Sequence, residues 1–188
     1  MKILYLHGFG SQFDSLSDKI IALDQLGEVV GVDLFYDEGY NSTVARATRS
    51  ILHHKPDLLV GTSMGGYLVA AMGANFGIPF VSLNPAINPS NNLKKYIGIN
   101  TDYTGRKYDL TEGTIDSYPN FCNDGYGLVL HSLGDEVIPV EETMEWSAGD
   151  RNQIKTVALP GGDHRFSNIS DAIPFIKTFY NMAETSYL

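Results

Sequence analysis

The sequence predicts an α/β protein in three layers, with a mostly parallel sheet of about six strands between helices and a small cap insertion. Three observations predict it. Short apolar runs alternate with stretches of helical period, as strands joined by crossover helices do. One such unit, Leu58 to Phe76, places a serine between two glycines where strand gives way to helix. A stretch at about 88–126 breaks the alternation and is rich in Asn, Asp, Thr, Gly and Tyr.

The first strand reads as Lys2–Leu6 and ends on His7-Gly8-Phe9-Gly10. A helix over Ser15–Leu26, a strand over Glu28–Leu34 and a helix over Ser42–His53 follow. Ser42 precedes an apolar-periodic stretch as an N-cap does, and the ring of Pro56 blocks continuation past Lys55. The third strand is Asp57–Gly61 and its helix Met64–Phe76. Tyr67-Leu68-Val69-Ala70-Ala71-Met72 is apolar nearly all round, which suits a helix buried on the sheet. Gly77 and Pro79 end it. Strands over Phe80–Leu83, Gly127–His131 and Lys155–Leu159 complete the sheet, with helices over Val140–Trp146 and Ser170–Ala183. Inside the insertion only Leu93–Ile97 reads as helix. Loops of that length are usually functional or disordered, and Tyr96, Tyr103, Tyr108, Tyr118, Phe121 and Tyr126 argue against disorder. Two readings stand: a cap beside the active site, or an excursion that never touches substrate.

Bulk properties bound the function. The 188 residues fit a single domain, 1–188, able to bury a core. With 13 basic and 22 acidic side chains the formal charge is -9, which repels nucleic acid and anionic membranes unless a basic patch intervenes. Lys94, Lys95, Arg106 and Lys107 are the candidates for such a patch; charge runs are more often a solvated face. Cys122 is the only cysteine, so no intramolecular disulfide argues for an oxidising compartment. The apolar run Ile3 to Leu6 is too short for a signal core or a membrane span. A soluble, cytoplasmic protein without nucleic-acid or membrane partners is the expectation. No His/Cys group has metal-ligand spacing. Gly8-Phe9-Gly10, with Asp33 after the second strand, opens like a dinucleotide-binding unit, but Phe13 stands where a third small residue is required. Neither metal nor cofactor is expected.

Gly61-Thr62-Ser63-Met64-Gly65 is a G-x-S-x-G pattern between a buried strand and an apolar helix, the context of a nucleophile elbow. Gly61 and Gly65 fit a turn in which Cβ atoms would crowd the serine. A serine hydroxyl is a weak nucleophile near neutral pH and needs a base, itself oriented by an acid. Asp135 follows the strand Gly127–His131 on a Gly-marked turn, and His164 follows the last strand behind Gly161-Gly162; both loops belong on the edge of the sheet that carries Ser63. Glu136 is the rival acid. His53 and His54 read as a solvated helix end, and His131 as a satisfied core histidine. Asp163 adjoins His164 too closely in sequence to face it well. The oxyanion calls for two N–H donors, assigned to Met64 and Phe9. His7 and Gly8 lie in the same loop as Phe9, and Tyr96 and Tyr103 in the insertion; these four are candidates for substrate contact, with His7 also suited to packing under the loop.

With these residues in place the chain resembles the small YqiA-like esterases of the α/β-hydrolase superfamily. The resemblance rests on Leu4-Tyr5-Leu6-His7-Gly8-Phe9, Gly61-Thr62-Ser63-Met64-Gly65-Gly66-Tyr67, Leu83-Asn84-Pro85-Ala86-Ile87-Asn88-Pro89, Tyr96-Ile97-Gly98, Tyr103-Thr104-Gly105-Arg106-Lys107-Tyr108, Gly134-Asp135-Glu136-Val137 and Gly161-Gly162-Asp163-His164-Arg165-Phe166. It implies an α/β-hydrolase fold with strand order 2-1-3-4-5-6. It also implies a serine esterase acting on small acyl esters or thioesters through Ser63, His164 and Asp135 and an acyl-enzyme. Thr62 and Asp163 depart from the family pattern, and the Asp163 charge is expected to raise the His164 pKa. An acyl-CoA thioesterase, an amidase or acyltransferase on the same triad, or a non-catalytic binding module are the alternatives.

Overall fold

Alternate residues of a strand face opposite sides of its sheet, and here both sides are apolar. Leu4, Leu6 and Leu59 join one buried cluster; Ile3, Tyr5, Leu58 and Val60 join another on the opposite face. A sheet apolar on both faces needs helices on both. The computed structural model of the chain describes residues 1–149 and 153–186. Its main sheet contains β1 (Lys2–Leu6), β2 (Glu28–Val32), β3 (Leu58–Thr62), β4 (Phe80–Leu83), β7 (Gly127–Ser132) and β8 (Ile154–Leu159). The order is β2-β1-β3-β4-β7-β8, every pair parallel. With β5 (Gly98–Thr101) and β6 (Lys107–Leu110) set apart in the insertion, this is the expected 2-1-3-4-5-6. Helices α1 (Asp18–Asp24) and α7 (Ile169–Ser186) cover one face. Helices α2 (Tyr40–His54), α3 (Met64–Phe76) and α6 (Val140–Ser147) cover the other. The strand order reverses between β1 and β3, so the loops after their carboxyl ends diverge and leave a crevice there.

Several element boundaries differ from the sequence reading, three of them for a visible local reason. Helix α1 starts at Asp18, because the Asp14 carboxylate takes the Leu16 N–H and the Asp14 carbonyl the Ser17 hydroxyl, which makes a turn of 14–17. Strand β2 stops at Val32: the Leu34 N–H leaves the sheet and donates to His7 Nε2. Helix α2 begins at Tyr40 behind Gly39, whose φ of 83° suits glycine, and Ser42 lies inside its first turn, bonded to Glu38. The Pro56 stop holds, with Lys55 closing the helix in the left-handed region.

The largest departure is in the insertion. It contains α4 (Pro89–Leu93), a 3-10 turn over Lys94–Tyr96, an antiparallel hairpin of β5 (Gly98–Thr101) and β6 (Lys107–Leu110), and α5 (Glu112–Asp116). Asn88 and Thr111 cap the two helices through their side chains. The hairpin turn is organised by Asp102, whose carboxylate accepts from the N–H groups of Thr104 and Arg106. Part of the aromatic load is core: Tyr118 and Phe121 are buried, and the Tyr118 hydroxyl donates to the Tyr36 carbonyl at 2.7 Å.

Candidate active site

Ser63 has φ 58° and ψ −120°, a conformation that side-chain-bearing residues avoid. Its neighbours hold it there. The Ser63 N–H donates to the Leu83 carbonyl (2.9 Å), and the Ser63 carbonyl accepts from Tyr67 (2.9 Å) and Ala86 (3.2 Å). The flanking glycines permit the turn, but not by clearing space for the serine. A Cβ on Gly61 would lie 2.3 Å from the Gly65 carbonyl oxygen, and one on Gly65 only 1.9 Å from the Leu6 carbonyl oxygen. Both glycines let α3 start against the end of β1. Gly8 is the glycine beside the nucleophile: its Cβ would stand 3.2 Å from Ser63 Cβ and 3.6 Å from Ser63 Oγ.

His164 completes a continuous chain of contacts. Its Nε2 is 3.0 Å from Ser63 Oγ, and its Nδ1 is 3.0 and 2.9 Å from the two Asp135 oxygens. A carboxylate only accepts, so Nδ1 carries the proton and donates to Asp135. That leaves Nε2 as acceptor for the Ser63 hydroxyl. Asp135 is fully buried at its side chain. Burial alone pushes its pKa up; hydrogen bonds from His131, His164 and the amides of Ile138 and Val137 outweigh it and hold the carboxyl well below the usual range. It is ionised at neutral pH. Glu136, the rival acid, accepts the His164 backbone N–H at 3.0 Å and steadies the loop. The Asp163 carboxylate accepts the Ser167 N–H.

Two backbone N–H groups belong to the segments that meet at Ser63. Met64 opens α3 and Phe9 follows Gly8. The Phe9 ring packs on Tyr96 (centroids 5.3 Å) and Tyr108 (6.1 Å), so the insertion leans on the loop that carries this amide. Tyr96 therefore reaches the site edge through Phe9. Tyr103, Phe9 and Gly10 line a small adjoining pocket. His7 is a correction among the substrate-contact candidates. It is 1 % exposed; Nδ1 donates to the Gly8 carbonyl (2.8 Å) and Nε2 accepts from the Leu34 N–H (2.9 Å). Burial, the largest influence, pushes its pKa down. It braces the loop from beneath and does not reach a substrate. Of the candidate basic patch, only Arg106 is engaged by carboxylates. Arg106 is committed to Asp37 and Asp102 at 2.8 Å each, and Lys94, Lys95 and Lys107 are exposed.

Two residues support the triad beyond the sequence reading, one of them His131, the expected satisfied core histidine. His131 is fully buried, with Nε2 3.0 Å from the Ile138 carbonyl and 3.4 Å from Asp135, and Nδ1 2.8 Å from Thr143 Oγ1. Two acceptors around Nε2 place the proton there, so His131 is a second donor to the carboxylate. Asn84 donates to the carbonyls of Asp163 and His164 and accepts from the Ser132 N–H, which ties the histidine loop to β4 and β7. Its place after a strand, in Asn84-Pro85-Ala86, was the available signal.

A model of the uncharacterised protein family UPF0227 matches residues 2–181. The chain belongs to the UPF0227 family. This is the YqiA-like family its motifs resemble. The UPF0227 protein of Vibrio atlanticus (strain LGP32) is 23% identical over 185 residues, which cover 95% of this chain and 99% of that one. The UPF0227 fold is also that of distant solved structures. Est1E from Butyrivibrio proteoclasticus superimposes with a TM-score of 0.74 at 20% identity, covering 100% of this chain and 88% of its own. The esterase domain of a Rhodothermus marinus protein follows at 0.68 and 20%, over 97% and 85%. The chain thus has an α/β-hydrolase fold. Among the described residues no group of three or more His, Cys, Asp or Glu is placed to hold a metal, and no helix is long and apolar enough to cross a membrane.

Proposed function

We propose that the protein is a serine hydrolase that cleaves small carboxylic esters or thioesters. One observation carries the reading: Ser63 Oγ, His164 and the ionised Asp135 form one hydrogen-bonded chain. The fold shared with the esterase domain of the Rhodothermus marinus protein supports it. His164 takes the Ser63 proton as the oxygen attacks the acyl carbon, and the imidazolium is held by Asp135. The Phe9 and Met64 amides receive the developing oxyanion. His164 returns the proton to the leaving alcohol or thiol, and a water activated by the same imidazole releases the acid. An acyl-CoA preference is the weaker branch, because Arg106 is engaged by two carboxylates. The free Cys122, without a disulfide partner, accords with action in the cytoplasm.

A fluorophosphonate probe is expected to label the wild type at Ser63. A panel of nitrophenyl acyl esters and thioesters is expected to show turnover. Ser63→Ala should lose label and turnover, by at least about a thousandfold, while melting within a few degrees of the wild type. Undiminished hydrolysis by that variant would remove Ser63 from the mechanism.

A further inference from the structure

Lysine side chains normally end in water. Lys19, on α1, is half-buried and sets its ammonium against two hydroxyls. Its Nζ lies 3.0 Å from Thr62 Oγ1 and 3.3 Å from the Tyr5 hydroxyl, and 5.8 Å from the Tyr5 ring centre. Tyr5 in turn donates to the same Thr62 Oγ1 at 3.0 Å. Thr62 and Tyr5 are 5% and 6% exposed. No carboxylate stands within 4.0 Å of the ammonium among the described residues. A charge held on two hydroxyls without a close counter-ion stabilises a fold poorly. Its address is the residue before Ser63.

We infer that Lys19 is a positioning residue for the nucleophile turn, its ammonium fixing the Thr62 side chain and through it the backbone that presents Ser63. The inference rests on reading Ser63 as the nucleophile. Two donors converge on one Thr62 oxygen and leave its side chain a single orientation. The Thr62 carbonyl would lie 3.3 Å from a Cβ on Gly8, so the same residue also abuts the loop that carries the Phe9 amide. The groups that face Lys19 are Tyr5 from β1, Thr62 from β3, and Asp163 and Arg165 from the loop that holds His164. Burial lowers its pKa to about 8; Asp163 opposes that and Arg165 adds to it. Below that pH the ammonium donates to both hydroxyls. Above it the neutral amine keeps two N–H donors but loses the charge that strengthens them, and its hold on the Thr62 oxygen weakens.

The experiment compares the wild type with Lys19→Arg and Lys19→Met. Backbone amide resonances of Thr62 and Ser63 are followed from about pH 6 to about pH 10, alongside the rate of fluorophosphonate labelling and ester turnover. In the wild type both amides should titrate with a midpoint near 8, and kcat should fall above it with KM unchanged. Lys19→Arg, which stays charged, should lack that midpoint and keep its rate at high pH. Lys19→Met should show a flat profile with kcat lower by roughly tenfold. An alkaline fall in Lys19→Arg identical to the wild type, or amides that do not move near pH 8, overturns the proposal. Absence of label in the wild type at every pH would instead defeat the serine reading, and the amide titration would still decide whether Lys19 governs the turn. If Lys19→Met does not fold, the Arg variant and the wild-type titration suffice.

Discussion

At Asp135 two influences oppose each other. A fully buried carboxyl is driven towards its neutral form, yet four donors surround this one and hold it ionised. Asp135→Asn keeps the shape but removes the charge and the imidazole's orientation. Turnover should fall by about four orders of magnitude, measured on the most reactive ester. Glu136→Gln still accepts the His164 N–H and should cost no more than about tenfold. Were the two variants equally impaired, Asp135 could not be the orienting acid. The sequence pointed to Asp135 and His164 because the order of serine, acid and base, each after a strand, restricts the choice. It left Asp135 and Glu136 to be weighed, since a turn of one residue is invisible in the sequence. It did not reveal His131 as a partner of Asp135, because that contact depends on how the segment from Gly134 to Ile138 folds back.

At the level of elements, the join between β1, β3 and α3 tolerates no added atoms. Gly65→Ala would drive a methyl group into the Leu6 carbonyl, and backbone there cannot step aside. Urea unfolding should show a loss of about 3 kcal/mol or more. Gly113→Ala, in the exposed α5, meets nothing closer than 3.8 Å and should leave stability unchanged or raise it by up to about 1 kcal/mol. The insertion is held differently. Arg106 lies over the Phe35 ring (4.8 Å) and the Tyr108 ring (5.2 Å) and links Asp37 to Asp102. In Arg106→Met, protease cleavage within 98–110 should quicken while the melting temperature barely moves; an unchanged cleavage rate would show that the aromatic contacts alone hold the hairpin. The elements of the sheet were legible because apolar runs bounded by glycine and proline have few alternatives. The hairpin was not: β5 and β6 expose alternate residues of mixed polarity, so their sequence lacks the apolar period of a strand.

For the molecule as a whole, acid is the exposed flank. His7 is buried neutral with its pKa pushed down, and Asp135 is buried charged with its pKa pushed down. In both cases the unfolded chain binds a proton that the folded chain resists. Their stabilisation is complete above the unfolded values, about 6.5 for His7 and about 3.9 for Asp135, and is lost as pH falls below them. The urea midpoint should therefore be lower at about pH 5 than at about pH 7, and His7→Gln should narrow the difference. An equal midpoint at both would contradict the protonation state assigned to His7. The positive φ of Ser63 has a further consequence for the same quantity. Only a residue without a Cβ relaxes in that conformation, and the relief is worth on the order of 1 kcal/mol or more. Ser63→Gly should thus melt above both the wild type and Ser63→Ala, and be inert. Selection for thermal endurance alone would discard the serine; its persistence in the chain is a standing trade of robustness for reactivity.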